Sequence, residues 1–133
     1  MVDTTETKTS NIPKPTAPIT PFRTADVRAE LLFTAGQIGM DPKTGQLVSD
    51  DVVEQAKQAL KNLEAVLKEG KSSLQSVLKC TVFLTDMADF TKCNEIYAGV
   101  FTKPYPARSC VGMKELPKGA KFEIEAIAVI DRS

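Results

Sequence analysis

The sequence contains no histidine. That absence removes serine-histidine triads, histidine-bearing zinc sites and imidazole acid-base catalysis together. Proton transfer must fall to Asp, Glu, Lys, Tyr or Cys. Excess charge is also missing, since seventeen basic residues balance seventeen acidic ones. Nonspecific phosphate binding needs a basic surface, so nucleic acid is not the expected partner. Cysteine is sparse: Cys80, Cys93 and Cys110 lie far apart with no CxxC pair. That excludes a paired-thiol zinc or redox centre and reads as reduced thiols in a cytosolic protein. No apolar run is long enough to span a bilayer, and the N-terminus lacks the basic-then-apolar order of a secretory signal. Asp3 and Glu6 also argue against an acid-poor mitochondrial presequence. The expected location is the cytoplasm, without membrane contact.

What is present suits one domain, because 133 residues bury a core without disulfide or metal staples. Residues 1–20 are mostly Thr, Lys, Ser, Asn and Pro with little to bury, and read as a loose leader. Residues 21–133 read as the domain. A buried strand is predicted at 31–38 (LLFTAGQI), followed by a turn at 41–45 (DPKTG). Residues 52–69 carry apolar side chains at three- and four-residue spacing, the signature of an amphipathic helix. Asp51 and Glu54 form its capping pair, and Gly70 offers a left-handed stop. A strand follows at 77–84 with Leu78, Cys80, Val82 and Leu84 on one side. A second helix over 87–101 starts at Asp86, buries Phe90, Cys93, Tyr97 and Phe101, and stops before Pro104 and Pro106. Two strands end the chain, at 107–113 and 121–130. This alternation predicts an α/β domain with two helices packed on one sheet.

The last strand is unusual. Period two places Phe122, Ile124, Ala126, Ala128 and Ile130 on one face and Glu123, Glu125, Ile127 and Val129 on the other, so both faces are largely apolar. Two helices cover one face of a small sheet, and the second face calls for other copies of the chain in a closed ring. A glutamate near such an interface needs a partner or a proton. The candidate partner is Arg108, just inside the start of the preceding strand, with Cys110 on the same face. Two readings stand: a pocket in which the guanidinium fork holds a ligand carboxylate while a glutamate moves a proton, or a structural ion pair between strands. Pattern alone favours the ion pair. With no histidine to activate it, Cys110 reads as a structural thiol rather than a nucleophile. Asn94 lies beside the buried stripe of the second helix, either on the surface or at a pocket edge, and Gly36 offers a backbone amide or marks a bulge.

Three segments, Ala35-Gly36-Gln37-Ile38, Pro106-Ala107-Arg108-Ser109-Cys110 and 123–128 (EIEAIA), together resemble the reactive intermediate imine deaminases, the Rid or YjgF/UK114 family. The resemblance implies a chorismate-mutase-like α/β fold, a homotrimer with a central barrel of sheets, and sites between subunits that take a small 2-imino or 2-keto acid. It implies hydrolysis of 2-aminoacrylate and 2-iminobutyrate, released by pyridoxal-phosphate dehydratases, to 2-keto acids and ammonia, with no metal or organic cofactor. Carried over by position, Arg108 grips the substrate carboxylate and Glu123 orients and activates water. Cys110, Asn94 and Gly36 shape the pocket. Ala35 and Phe22 stand where the archetypal deaminases carry serine and tyrosine, so two hydroxyls are missing. Those two positions also leave open a noncatalytic ligand-binding or chaperone-like trimer, and a translation-inhibiting endoribonuclease is a further role attached to the family, against which the neutral charge and the missing histidine weigh.

Overall fold

The computed structural model describes residues 20–23 and 30–131. The amphipathic repeat forms helix α1, Val52–Glu69, over the span that its spacing predicts. Asp51 caps it by accepting the Glu54 N–H at 3.1 Å, and Val52, Ala56, Ala59, Leu60, Leu63, Val66 and Leu67 form its buried stripe. The stop differs from expectation. Gly70 keeps φ −85° and donates helically to Val66 at 3.0 Å, so the left-handed position moves on to Lys71, φ 62°. Ser72 N–H then closes the turn on the Leu67 carbonyl at 2.8 Å.

Six strands form one mixed sheet: β1 (Thr20–Arg23), β2 (Glu30–Phe33), β3 (Gln37–Ile38), β4 (Val77–Leu84), β5 (Ala107–Gly112) and β6 (Phe122–Val129). Their order is β1-β2-β6-β4-β5, with β3 also paired to β6. Only β4 and β5 are parallel, and helix α2, Phe90–Val100, supplies the crossover that parallel neighbours require. Both helices pack on one face. Cys80, Val82 and Leu84 of β4 and Phe122, Ile124, Ala126 and Ala128 of β6 share a core there with Leu63, Leu67, Cys93, Tyr97 and Phe101. On the opposite face Ile127 and Val129 are half-buried, while Leu78 is 49% and Val111 41% exposed. A small second core of Ile38, Met40, Leu116 and Ala120 covers one corner of that face, against Phe83.

Three expectations change. The strand predicted over 31–38 divides into β2 and β3. Phe33 pairs with Ile127 and Gln37 with Ile124, so this side uses one residue more than β6, which is a bulge. Thr34 builds it: its N–H donates to the Ala126 carbonyl, and its Oγ1 accepts the Ala126 N–H, each at 3.0 Å. Leu78 leaves the predicted buried row because the register with β6 shifts between Val77 and Lys79, so Val77 is buried in its place. Phe90 is half-buried, because a 3-10 turn at Met87–Asp89 precedes α2 and leaves Phe90 at the helix edge.

The bulge holds Gly36 in place, and its stability is testable. Replacing Thr34→Val keeps the shape but removes the acceptor for the buried Ala126 N–H. Urea unfolding should register a loss of about 1–3 kcal/mol. An unchanged midpoint would mean the bulge stands without the hydroxyl.

Candidate active site

Arg108 sits on β5 opposite Cys80 of β4, so its side chain leaves the sheet on the helix side. There α2 receives it. Nη1 donates to Asn94 Oδ1 at 2.6 Å, and the guanidinium carbon lies 4.6 Å from the Tyr97 ring centroid and 5.3 Å from that of Phe90. Phe90, Asn94 and Tyr97 stand at i, i+4 and i+7, one face of the helix. Among the described residues no carboxylate pairs with Arg108, although the side chain is half-buried. A cation partly removed from water without a counter-ion is costly, and ring faces with one amide oxygen offset only part of that cost. Beyond the guanidinium opens a cleft of about 380 Å³ lined by Asn94, Tyr97, Ala98, Tyr105, Pro106 and Arg108.

The thiols nearby are not activated. Burial pushes the Cys110 thiol above the ordinary cysteine range, with Arg108 pulling weakly the other way. Burial likewise pushes Cys80 and Cys93 up to about 11. All three are protonated at neutral pH, as the structural reading of Cys110 expects. A crevice of about 10 Å³ lies among Cys93, Asn94, Tyr97, Arg108 and Cys110. Tyr97 is buried, and its hydroxyl makes no hydrogen bond of good geometry. Its polar neighbour is the Cys80 thiol, a weak partner.

Glu123 lies elsewhere. It pairs with Phe83 of β4 and Ile38 of β3 and so projects from the face opposite Arg108. Its carboxylate rests against Gly36, where any Cβ would collide with Oε2. Burial raises its pKa above the ordinary glutamate value, and repulsion from Glu125 adds to the rise. Ala35, half-buried, adjoins Gly36, and its carbonyl accepts from Gln37 Nε2 at 3.3 Å. Phe22 stands opposite Leu31 on β1, but its side chain lies outside the described residues. Two groups therefore form, Arg108 with Asn94 and Cys110, and Glu123 with Gly36, which Ala35 precedes in the chain. The expectation that Arg108 and Glu123 are neighbours fails within one chain, because β4 separates their strands and they leave opposite faces. Sequence reasoning placed Phe90 and Tyr97 in the core and missed their ring contacts with Arg108. The available signal was their shared helix face with Asn94. Among the described residues no three Cys, Asp or Glu side chains converge to hold a metal ion, and no helix is long and apolar enough to cross a membrane.

The family described as Endoribonuclease L-PSP matches residues 12–130. The RutC family protein y4sK of Sinorhizobium fredii is 49% identical over 107 residues, covering 80% of this chain and 85% of its own. The 2-iminobutanoate/2-iminopropanoate deaminase of Homo sapiens is 46% identical over 111 residues, 84% of this chain and 81% of its own. Among solved structures, E. coli TdcF with bound serine superposes with a TM-score of 0.79 at 38% identity, covering 97% of this chain and 99% of that one. With likeness of this extent in both sequence and fold, the chain belongs to the YjgF/Rid family.

Proposed function

We propose that the protein is a cytoplasmic 2-imino acid deaminase that converts 2-iminobutanoate and 2-iminopropanoate to the 2-keto acids and ammonia, working as a homotrimer. The observation that carries this reading is a half-buried arginine that has no carboxylate partner among the described residues and lines an open cleft. Such a guanidinium is a receptor for a planar carboxylate, and every 2-imino acid carries one. The name of the human relative and the serine bound by the E. coli relative support the same substrate class.

The chemistry asks for little beyond position. An iminium carbon is already electrophilic, so water needs alignment and a base rather than a strong nucleophile. Arg108 holds the carboxylate. Glu123, with its raised pKa, takes a proton from the attacking water and delivers it to the nitrogen of the tetrahedral carbinolamine. The C–N bond then breaks and ammonia leaves as the carbinolamine hydroxyl returns its proton to the Glu123 carboxylate and becomes the carbonyl of the 2-keto acid. Gly36 leaves room for the carboxylate that does this. Since Arg108 and Glu123 occupy opposite faces of one sheet, the complete site requires a second copy. In the proposed trimer the exposed apolar faces around Leu78 and Val111 pack into a central barrel, and the Glu123 side of one copy meets the Arg108 side of its neighbour.

A second reading, ligand binding without turnover, draws on Ala35, which places no hydroxyl beside Glu123. One assay separates the two. A serine or threonine dehydratase generates the imine, semicarbazide traps it, and the protein competes with the trap. Wild type should win that competition. Arg108→Ala should lower kcat/KM about 100-fold or more, the loss of a charge-assisted pair. Glu123→Gln should lower kcat by roughly 10²- to 10⁴-fold with little change in KM. Wild-type protein that binds 2-keto acids but never outcompetes the trap would establish the binding role instead.

Glu123 also has a stability signature. Its folded pKa lies above its unfolded one, so both states hold the proton below about pH 4. As pH rises through the folded value the proton is lost at the expense of the fold. Glu123→Gln should therefore raise the melting temperature of ligand-free protein near neutral pH and lose that advantage in acid. An advantage that is independent of pH would remove burial of the carboxylate as its cause.

A further inference from the structure

Among the described residues the supports of Arg108 are neutral: one amide oxygen at 2.6 Å and two ring faces at 4.6 and 5.3 Å. A carboxylate in their place would hold the guanidinium more tightly, but it would compete with a ligand carboxylate for the same charge. A single hydrogen bond to Asn94 leaves the guanidinium free to pivot about it. The rings remove that freedom. Tyr97 is the nearer of the two, and it is fixed itself: it is buried, and its ring stacks at 4.5 Å and 37° on Phe101. It stands as a wall between Phe101 and the arginine. Stability alone does not account for a tyrosine here, because its hydroxyl is buried without a good partner, and a buried polar group left unpaired is destabilising.

We propose that Tyr97 is a positioning residue for Arg108, whose phenol ring, braced by Phe101 and assisted by Phe90, presents the guanidinium fork to a ligand carboxylate without neutralising it. The inference rests on the proposed 2-imino acid site and names the residue that organises its anion-binding half. Preorganisation of this kind acts on affinity, since the ordering of a flexible side chain no longer opposes binding.

Calorimetric titration of the full-length protein with 2-oxobutanoate tests it. Tyr97→Leu should weaken binding about 3- to 30-fold, the span of a cation–π contact, and Phe90→Leu should weaken it less. Tyr97→Phe keeps the ring and should bind within about 2-fold of wild type while unfolding at a higher temperature. The decisive comparison is a double-mutant cycle: in an Arg108→Lys background, which keeps the positive charge but not the planar fork, Tyr97→Leu should cost less than in wild type, whereas a purely structural role costs the same in both. Unchanged binding in folded Tyr97→Leu, or an equal loss in both backgrounds, would overturn the proposal. Should Tyr97→Leu not fold, the same cycle run with half-buried Phe90→Leu decides. If Arg108→Ala binds like wild type, the anion site itself is wrong and the inference falls with it. If Arg108→Ala loses binding and the ring variants do not, only the inference falls.

Discussion

The site depends on keeping Arg108 charged, ordered and unneutralised. Most arginines withdrawn this far from water are answered by an acid. Here the answer comes from Asn94, Tyr97 and Phe90, groups that stabilise a cation through a dipole and two quadrupoles and leave its net charge intact. Helix α2 delivers all three from one face, and the parallel β4–β5 pair sets the arginine beneath them. The crossover that makes the strands parallel is the same helix that carries the supports. Topology and recognition are thus one arrangement.

The opposite face of the sheet holds the complementary problem. Glu123 is a half-buried acid that no cation answers among the described residues, and burial raises its pKa. Its setting comes from the bulge between β2 and β3, where Thr34 replaces a ladder contact with its hydroxyl and brings Gly36 against the carboxylate. A Cβ at position 36 would expel that carboxylate. The bulge and the glycine therefore act as a pair, one bringing the backbone close and the other leaving space.

Much of this was legible before the fold was known. The helical spacing over 52–69, the cap at Asp51, the strand at 77–84 and the two-faced alternation from Phe122 all express local periodicity, and they reappear as written. So does the shared face of Arg108 and Cys110, which needs only a period of two. The misses depend on contacts between distant segments. Leu78 and the break after Phe33 follow from register with β6, which no local window contains. Lys71 takes the left-handed turn because helical bonding continues through Gly70, a choice that the glycine alone does not reveal. The separation of Arg108 from Glu123 is the most consequential miss. Consecutive strands suggest a hairpin, yet β4 inserts between β5 and β6, and that order is a property of the whole sheet.

That insertion bears on how such a site works. Under the proposed function, a single copy carries the anion-binding half of the site on one face and the proton-transfer half on the other. Among the described residues neither group is committed to an ion pair, so each stays available at the cost of some stability in the isolated chain. The exposed apolar face around Leu78 and Val111 supplies a driving force for association, since apolar area removed from water yields about 25 cal/mol per Å². If burial of that face brings the two half-sites together, the free energy of assembly offsets the cost of leaving Arg108 and Glu123 unpaired. The proposed reaction also asks for no histidine. An electrophile held by its carboxylate against a raised-pKa glutamate needs no imidazole, provided the sheet keeps the two charges apart until a second copy and a substrate arrive between them.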